Sequence, residues 1–314
     1  MYLLPSEVQL DIFKYLKFNQ LLSIQQTNLY FRDFINKYEK ELSRKEFDRL
    51  EIHYTHNSFI RSTKVIKPKP NHFEFQLSKH LEKKWIKGIE KSIPMFLSVD
   101  ERNMHIAIYR SERDEVRNVF CSILPNFLKN IEEMKIARYL LDQLFKCSFE
   151  TASFLKAIFN PQMIKLLFDE NKTNIPLQIH SQRAFIFLSN NDFEKFALNH
   201  LISNKLTIYS GKQQNILNLL TNGANKFSTV CCSYNTLIHD LIIQHIETSK
   251  NISKTVREIK FNGFIRSLHK LKPTNDQISN KYSSSTYNKE INIAYINHHH
   301  NNEPVYDIII KRNN

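Results

Sequence analysis

Glycine is rare in this chain, with only 4 among its 314 residues. A loop that cradles a phosphate needs several glycines at fixed spacing, so nucleotide sites built on such loops are nearly excluded. The Gly-x-Ser-x-Gly turn of serine hydrolases and the His-Glu-x-x-His helix of zinc proteases are absent as well. We therefore expect a protein that is not an enzyme and that needs no cofactor.

Cysteine is also sparse, and long apolar runs are missing. The four cysteines are Cys121, Cys147, Cys231 and Cys232. None belongs to a Cys-x-x-Cys pair, and two adjacent cysteines are poorly spaced to share a zinc ion, so we expect free thiols in a reducing compartment. No uncharged stretch approaches the roughly 20 apolar residues that span a bilayer, and the N-terminus lacks the features of a secretory signal. These absences predict a soluble intracellular protein of the cytoplasm or nucleus, without membrane contact.

The charge of the chain is strongly positive. Lys and Arg number 44 against 31 Asp and Glu, which gives a net charge of +13 and a pI near 9.4. A nucleic-acid partner would explain this charge, but it requires the cations to cluster on one face. The lysines are instead spread along the sequence, which favours ordinary surface lysines over nucleic-acid binding. A basic nucleic-acid-binding protein is kept as an alternative.

Three short apolar segments open the chain. They cover residues 4–16, 21–24 and 29–42, and each has apolar side chains at helical spacing. Pro5 suits the start of a helix, and Glu7 favours the positive end of its dipole. A module of about 45 residues rarely buries enough apolar surface to fold alone, so its apolar faces need a partner. That partner is either another protein or the rest of this chain, in which case the segments form a helical cap.

The residue types in this region match a known motif. Its expected Leu, Pro, acidic, Ile, Phe, Leu, Leu and Leu positions are occupied by Leu4, Pro5, Glu7, Ile12, Phe13, Leu16, Leu21 and Leu22. Residues 1–48 thus resemble the F-box, and residues 28–39 are similar to the large, divergent F-box families of nematodes. Four positions depart from the motif: Gln20 replaces an Asp, Thr27 and Asn28 replace a Val and a Cys, and Phe31 replaces a Trp.

The resemblance implies a docking role. F-box proteins dock on the Skp-family adaptor of cullin-RING ubiquitin ligases, so it implies the substrate receptor of an SCF-type ligase, which performs no chemistry itself. It assigns the adaptor contacts to Leu4, Pro5, Val8, Ile12, Leu16, Leu21, Leu22 and Phe31. Through the adaptor it also implies association with a cullin. An adaptor-binding protein that acts outside ubiquitination shares this docking prediction.

The rest of the chain predicts one larger domain after a linker. Residues 49–76 have the composition of a linker, with a polar run and a Lys-Pro-Lys-Pro segment. From residue 77 to residue 285, helical periods alternate with short β-branched and aromatic segments at a spacing of about 20–30 residues, which is typical of leucine-rich-repeat-like solenoids. Successive strands would then be parallel. An ordinary α/β domain is the alternative, since the units are irregular.

These patterns define the predicted fold class, which is α+β or α/β: a three-helix F-box followed by a leucine-rich-repeat-like series of helices and strands. The predicted helices cover residues 81–91, 131–145, 163–168, 192–202, 214–220 and 236–248. The predicted strands cover residues 94–99, 104–109, 149–154, 177–180, 206–209, 228–231 and 256–261.

In the repeat interpretation, alternate strand residues point away from the helices. The predicted substrate-binding residues are Gln178, His180, Thr207, Tyr209, Glu258 and Lys260, with Thr229 and Cys231 between them. Together they would form a polar face with scattered aromatic rings, suited to a protein ligand whose identity the sequence does not give. The alternative is that they are ordinary solvated strand positions.

The C-terminal residues 286–314 predict a separate β-hairpin. Its strands are residues 291–296 and 305–311, and the long turn between them carries three consecutive histidines, His298 to His300. A run of three histidines without other ligands favours a polar loop over a metal site, so no metal is expected.

Overall fold

The computed structural model describes most of the chain. The described residues are 4–39, 41–54, 64–65, 77–98, 106–112, 115–168, 177–249, 251–262, 279–284, 289–300 and 303–312. Their helices are α1 (Ser6–Lys14), α2 (Phe18–Gln25), α3 (Leu29–Lys37), α4 (Lys79–Glu90), α5 (Ile131–Phe145), α6 (Pro161–Leu167), α7 (Asn191–His200), α8 (Gln213–Asn222) and α9 (Thr236–Thr248). Their strands are β1 (Lys45–Tyr54), β2 (Lys64–Val65), β3 (Phe96–Ser98), β4 (Ile106–Glu112), β5 (Glu115–Leu124), β6 (Cys147–Phe154), β7 (Ala157–Phe159), β8 (Ile179–Leu188), β9 (Leu201–Gly211), β10 (Phe227–Ser233), β11 (Glu258–Asn262), β12 (Ser279–Ser284), β13 (Lys289–His300) and β14 (Glu303–Arg312).

The N-terminal region forms three short helices, as predicted. Asn28 begins α3, because its side-chain oxygen accepts a hydrogen bond from the Phe31 N–H at 2.9 Å. At the start of α2, the side-chain oxygen of Gln20 accepts a hydrogen bond from the Lys17 N–H at 2.9 Å. Both contacts satisfy backbone donors that a helix end leaves unpaired. Gln20, which departs from the F-box motif, therefore has a local role at the start of α2.

Twelve strands form one mixed sheet in the order β12-β13-β14-β11-β10-β9-β8-β6-β1-β4-β5-β2. Its centre is parallel, since β1, β6, β8, β9, β10 and β11 pair in parallel with their neighbours in this series. From β6 to β11 the order of the strands in the sheet also follows the sequence, as predicted. The flanking strands pair antiparallel, apart from the short β2 beside β5. Strands β3 and β7 form a separate antiparallel pair.

Helices α4 to α9 pack side by side and cover one face of the sheet. Most side chains of the core between these helices and the sheet are completely buried. One row of cross-strand partners on this face consists of Leu50, Ala152, Ala184, Leu206, Val230, Ile259 and Ile310. Because side chains alternate along a strand, the opposite face is left to polar and aromatic residues. Among the described residues the domain is therefore layered, with one apolar face under helices and one face that no described helix covers, which we call the open face.

Asparagine starts four of these covering helices. The side chains of Asn130, Asn160, Asn190 and Asn235 each accept a hydrogen bond from a backbone N–H in the first turn of α5, α6, α7 and α9. Such caps stabilise a helix by about 1 kcal/mol each. Asparagine side chains thus stabilise the first turns of these four helices.

The sheet begins earlier than predicted. Residues 49–54, assigned above to a linker, lie in β1, where the side chains of Leu50 and Ile52 are 0 % and 2 % exposed. The linker prediction was wrong here because charged residues alternate with these buried ones, which is the pattern of a strand. The linker residues 55–63 and 66–76 lie outside the described part of the chain.

The C-terminal strands are not a separate unit, so the predicted boundary at residue 286 was wrong. Strand β14 pairs antiparallel with β11, where Ile310 lies opposite Ile259 and Ile308 lies opposite Phe261. Strand β13 in turn pairs antiparallel with β14 along most of its length. Ile308 and Ile310 are buried in the main core, so these strands extend the same sheet.

Two central strands are longer than predicted. Strand β8 extends to Leu188, and β9 begins at Leu201, directly after the last residue of α7. Residues 184–188 are apolar at every position, so the alternation that marks a half-buried strand is absent from them. The predicted strand 177–180 therefore covers only the start of β8, and the predicted strand 206–209 covers only part of β9. Strands β5 and β7 were not predicted at all.

The N-terminal helices are held against the sheet domain by polar contacts. The Ser43 hydroxyl donates a hydrogen bond to the Leu16 carbonyl at 2.7 Å. The Arg44 guanidinium donates to the Phe145 carbonyl at the end of α5, where a cation is favoured by the helix dipole. The ammonium group of Lys146 lies 3.7 Å from the Glu39 carboxylate. The three-helix module is therefore linked to the domain at the end of α5.

Candidate docking surfaces

The three N-terminal helices enclose a small aromatic core. The Phe13 ring is completely buried, and its centroid lies 5.8 Å from that of Phe31 and 5.4 Å from that of Phe34. Gln9 is buried beside this core, but its amide is satisfied: it donates to the Leu4 carbonyl at 2.7 Å and accepts from the Tyr30 hydroxyl at 2.9 Å. The module thus has a core of its own, which does not depend on the outer side of α1.

An apolar row lies exposed along the outer side of α1. Val8 and Ile12 lie four residues apart in α1 and therefore share one face of the helix, and Leu4 lies just before the start of the helix at Ser6. Their side chains are 39 %, 42 % and 37 % exposed. Leu22 on α2 is exposed to a similar degree, at 42 %. We call Leu4, Val8 and Ile12 the α1 apolar row.

The other predicted adaptor contacts are distributed between surface and core. Pro5 is exposed at the start of α1. Leu16 and Phe31 are half-buried and pack against the module core. Leu21 belongs to that core and is 2 % exposed. The structure therefore brings Leu4, Pro5, Val8, Ile12 and Leu22 to the surface and uses Leu16, Leu21 and Phe31 to support them.

The open face of the sheet carries most of the predicted substrate-binding residues. One row of cross-strand partners runs from Phe185 through Thr207 and Cys231 to Lys260. Glu258 lies in the adjacent row, and its carboxylate is 2.8 Å from the Lys260 ammonium. The structure thus brings Thr207, Glu258 and Lys260 onto one surface.

Tyr209 lies on the same face, inside a cluster that the sequence did not indicate. Its ring is 52 % exposed, and its centroid lies 6.1 Å from that of Phe185 and 6.0 Å from that of Phe187. Phe185 and Phe187 are half-buried in β8. The available signal was that, if Ala184 and Ile186 face the core, the phenylalanines between them must face outward.

Gln178 and His180 lie at the other end of the strands. Gln178 precedes β8, and His180 is five residues before Phe185, next to Ser148 and Ile202 in the register. The Nε2 atom of His180 is buried without a hydrogen-bond partner among the described residues. Burial, followed by the nearby charges of Arg44 and Lys226, lowers the pKa of His180 to about 4. These two predicted residues are therefore not part of the surface around Tyr209.

Within the described residues, no group of three or more His, Cys, Asp or Glu side chains could hold a metal ion. Cys147, Cys231 and Cys232 are free and buried, as predicted for three of the four cysteines. Burial raises the pKa of Cys232 to about 12, so this thiol stays protonated at neutral pH. None of the helices in the described ranges combines the length and the apolar character needed to cross a bilayer.

Comparison with known families divides the chain into two matched regions. Residues 1–39 match an F-box-like family, so the chain carries an F-box-like domain at its N-terminus. Residues 66–211 match a domain of unknown function, DUF8381. No curated protein and no solved structure matches the chain. The F-box-like match covers the three N-terminal helices and includes the α1 apolar row.

Proposed function

We propose that this chain is the substrate receptor of an SCF-type ubiquitin ligase, which docks on a Skp-family adaptor through its N-terminal helices. The observation that carries the proposal is the α1 apolar row. Three large aliphatic side chains stay exposed on a module that already has a closed core, within residues that match an F-box-like family. Exposed apolar groups arranged in a continuous row mark protein contacts more often than chance exposure does.

In this proposal the chain contributes position and not chemistry. The adaptor connects it to a cullin, and the sheet domain holds the target protein. Ubiquitin transfer is then accelerated because the target lysines are held at high effective concentration near the ubiquitin-carrying enzyme. No side chain of this protein needs to transfer a proton. The proposed role places the protein in the cytoplasm or nucleus, where such ligases act, and it requires neither a cofactor nor enzymatic activity.

We further infer that the part of the domain from β6 to β11 works as a leucine-rich-repeat-like surface. Its support is the parallel pairing of β6, β8, β9, β10 and β11 in chain order, with all described helices of the domain on one side. Such an arrangement leaves one broad sheet face for a protein ligand. Membership of a nematode-type F-box family stays a prediction from residues 28–39.

Co-expression with a Skp-family adaptor tests the docking proposal. The variant Ile12→Asp places a charge in the α1 apolar row, which should weaken the complex by about 100-fold or more, because a charge left in an apolar interface costs several kcal/mol. The matched control is Ile86→Asp on α4, which makes the same substitution at a side chain that is 43 % exposed, compared with 37 % for Ile12. Co-purification and calorimetric titration provide the readouts.

The two variants separate a docking site from a general effect of charge on the fold. We expect the wild-type chain and the Ile86→Asp variant to co-purify with the adaptor, whereas the Ile12→Asp variant does not. A folded wild-type chain that forms no complex would contradict the proposal. The alternative of a basic nucleic-acid-binding protein would then be tested by titrating oligonucleotides at several salt concentrations, since phosphate contacts weaken steeply with salt.

A further inference from the structure

An aromatic cluster on the open face of the sheet lies at a β-bulge. Ile186 pairs with Ile208, but the next residue, Phe187, pairs with Ser210, so Tyr209 is an extra residue in β9. The ring centroid of Tyr209 lies 6.1 Å from that of Phe185 and 6.0 Å from that of Phe187. Bulges frequently redirect a side chain at functional positions. Here the register partners of Phe185 and Phe187 in β9 are the polar Thr207 and Ser210, and the exposed Tyr209 between these two contacts both phenylalanines.

The backbone after the bulge is closely packed. A Cβ atom added to Gly211 would lie 2.6 Å from the Leu188 Cβ and 3.0 Å from its carbonyl oxygen. Because backbone atoms cannot move aside easily, the return of β9 to regular pairing with β8 needs glycine at this position. Gly211 therefore permits the close packing of β9 against β8 directly after the bulge.

Two cations lie beside the aromatic rings in the same strands. Arg183 and Lys205 are exposed and directly opposite each other in the register. Like charges at opposite positions destabilise a sheet, so such a pair needs a compensating anion. Arg183 has one, since it donates to the Glu150 carboxylate at 2.9 Å. Lys205 has no carboxylate partner among the described residues, so one positive charge remains uncompensated here.

Acidic residues on the same face limit which anionic ligands the positive charge of Lys205 can attract. Glu150 lies beside Arg183, and Glu258 lies 2.8 Å from Lys260 and 3.8 Å from Lys311. A polyphosphate chain would have to pass these carboxylates and would be repelled by them. A ligand with one or two carboxylates and an apolar group avoids that repulsion. The charge pattern thus favours a peptide over a nucleic acid.

We infer that the surface formed by Arg183, Phe185, Phe187, Lys205 and Tyr209, the aromatic–basic patch, binds a short acidic segment of a partner protein. A carboxylate of the segment pairs with Lys205, and an adjacent aromatic or aliphatic side chain packs on Tyr209. The statement that this partner is a ubiquitination target rests on the proposed function. The binding itself does not, because it involves no residue of the N-terminal module.

A library of random dodecapeptides displayed on phage, selected on the purified full-length chain, tests this inference. We expect the enriched peptides to carry Asp or Glu next to Phe, Tyr or Leu. A fluorescein-labelled copy of the most enriched peptide should bind the Lys205→Glu variant at least about tenfold more weakly, because attraction is replaced by repulsion. The Tyr209→Ser variant should lose a similar factor. The control is Lys83→Glu on α4, on the helical side of the sheet, which should bind as the wild type does.

Each result decides the inference. Acidic peptides that lose binding in both patch variants and keep it in the control support it. Enrichment of basic or uncharged peptides, equal binding by all variants, or no enrichment at all would overturn it. A labelled oligouridine that binds at physiological salt and is released by Lys205→Glu would replace the peptide with RNA. Adaptor co-purification of the same variants separates this inference from the proposed function, since a failed patch leaves docking intact and failed docking leaves peptide binding intact.

Discussion

The three-helix module and the sheet domain treat their apolar residues in opposite ways. Of the eleven large apolar side chains that are exposed among the described residues, seven belong to residues 4–30. The sheet domain is several times larger, and its described side chains include four such exposed groups. A small module has too much surface for its volume to bury every apolar group, whereas a sheet under a helical layer can bury one face completely. The comparison teaches that apolar contact belongs to the module and that selective polar contact belongs to the open face of the sheet.

The largest expected effect is on the core of the sheet domain, at the single tryptophan. Trp85 is 0 % exposed, and its indole N–H donates to the Leu166 carbonyl at 2.9 Å, which ties α4 to α6. We expect Trp85→Ala to lower the free energy of unfolding by about 3–5 kcal/mol, because it leaves a large cavity and an unpaired carbonyl. Urea unfolding followed by far-UV circular dichroism measures the change.

The Trp85→Phe variant separates the two causes. It keeps most of the ring volume and removes only the hydrogen bond, so the loss should fall to about 1–2 kcal/mol. If both variants were equally unstable, the hydrogen bond and not the packing would hold α4 in place. Either result refers to the domain alone, and adaptor binding by the folded fraction should be unchanged.

A matching substitution in the module should break docking and spare the domain. Phe13→Ala removes a completely buried ring that contacts Phe31 and Phe34, at a cost of about 3–5 kcal/mol to a module that is marginal in size. We expect adaptor binding to be lost while the unfolding midpoint reported by Trp85 fluorescence stays near the wild-type value. Simultaneous loss of both signals would mean that the contacts at Ser43 and Arg44 couple the two parts into one folding unit.

A smaller effect is expected at the bulge that shapes the aromatic–basic patch. Gly211→Ala forces a Cβ atom against Leu188, and overpacking of this kind costs about 1–3 kcal/mol. Because β9 must shift to relieve the contact, binding of an acidic peptide selected on the wild type should weaken as well. Denaturant midpoints and peptide titration provide the measurements. An alanine variant with unchanged stability and unchanged binding would show that β9 adjusts freely, and the bulge would then not be a fixed feature of the patch.

The sequence indicated the helical module and the parallel order of the central strands, because both depend on local periodicity. Three helices and parts of the strands β6, β8, β9, β10 and β11 were predicted from apolar spacing alone. The strand β1 was missed because its charged residues resembled a linker, and the attachment of β14 to β11 was missed because cross-strand pairing is not local. The side-chain period of a strand can be read only where polar and apolar residues alternate, and residues 184–188 do not alternate.

The candidate surfaces were predictable to different extents. The spacing of Val8 and Ile12 places them on one face of α1 whatever the tertiary structure is, and Leu4 lies just before that helix. Leu21 was assigned to the same surface, but the three-helix packing places it in the core, which no local pattern reveals. The cluster around Tyr209 joins side chains of two strands, and the register between two strands is not fixed by a local pattern in either of them. For this reason the aromatic partners of Tyr209 required the structure.

The smallest expected effect concerns pH and again distinguishes the domain from the module. In the unfolded chain His180 has its ordinary pKa of 6.5, whereas burial and the charges of Arg44 and Lys226 lower the folded-state pKa to about 4. Between these two values the unfolded state binds more protons than the folded state, so stability rises with pH. The contribution of His180 is therefore complete above about pH 6.5 and is lost as the pH falls toward 4.

We expect His180→Gln to reduce this acid-induced loss by on the order of 1 kcal/mol, a value lowered by the partial exposure of the side chain to solvent. Urea midpoints at a series of pH values from neutral to acidic, followed by Trp85 fluorescence, give the profile. The matched control is His80→Gln, which removes an exposed histidine of α4 and should leave the wild-type profile unchanged. Parallel profiles for all three proteins would mean that carboxylates, and not His180, set the acid sensitivity of the domain. A flatter profile for His180→Gln alone would locate that sensitivity at the end of the sheet next to Arg44, where the module joins the domain.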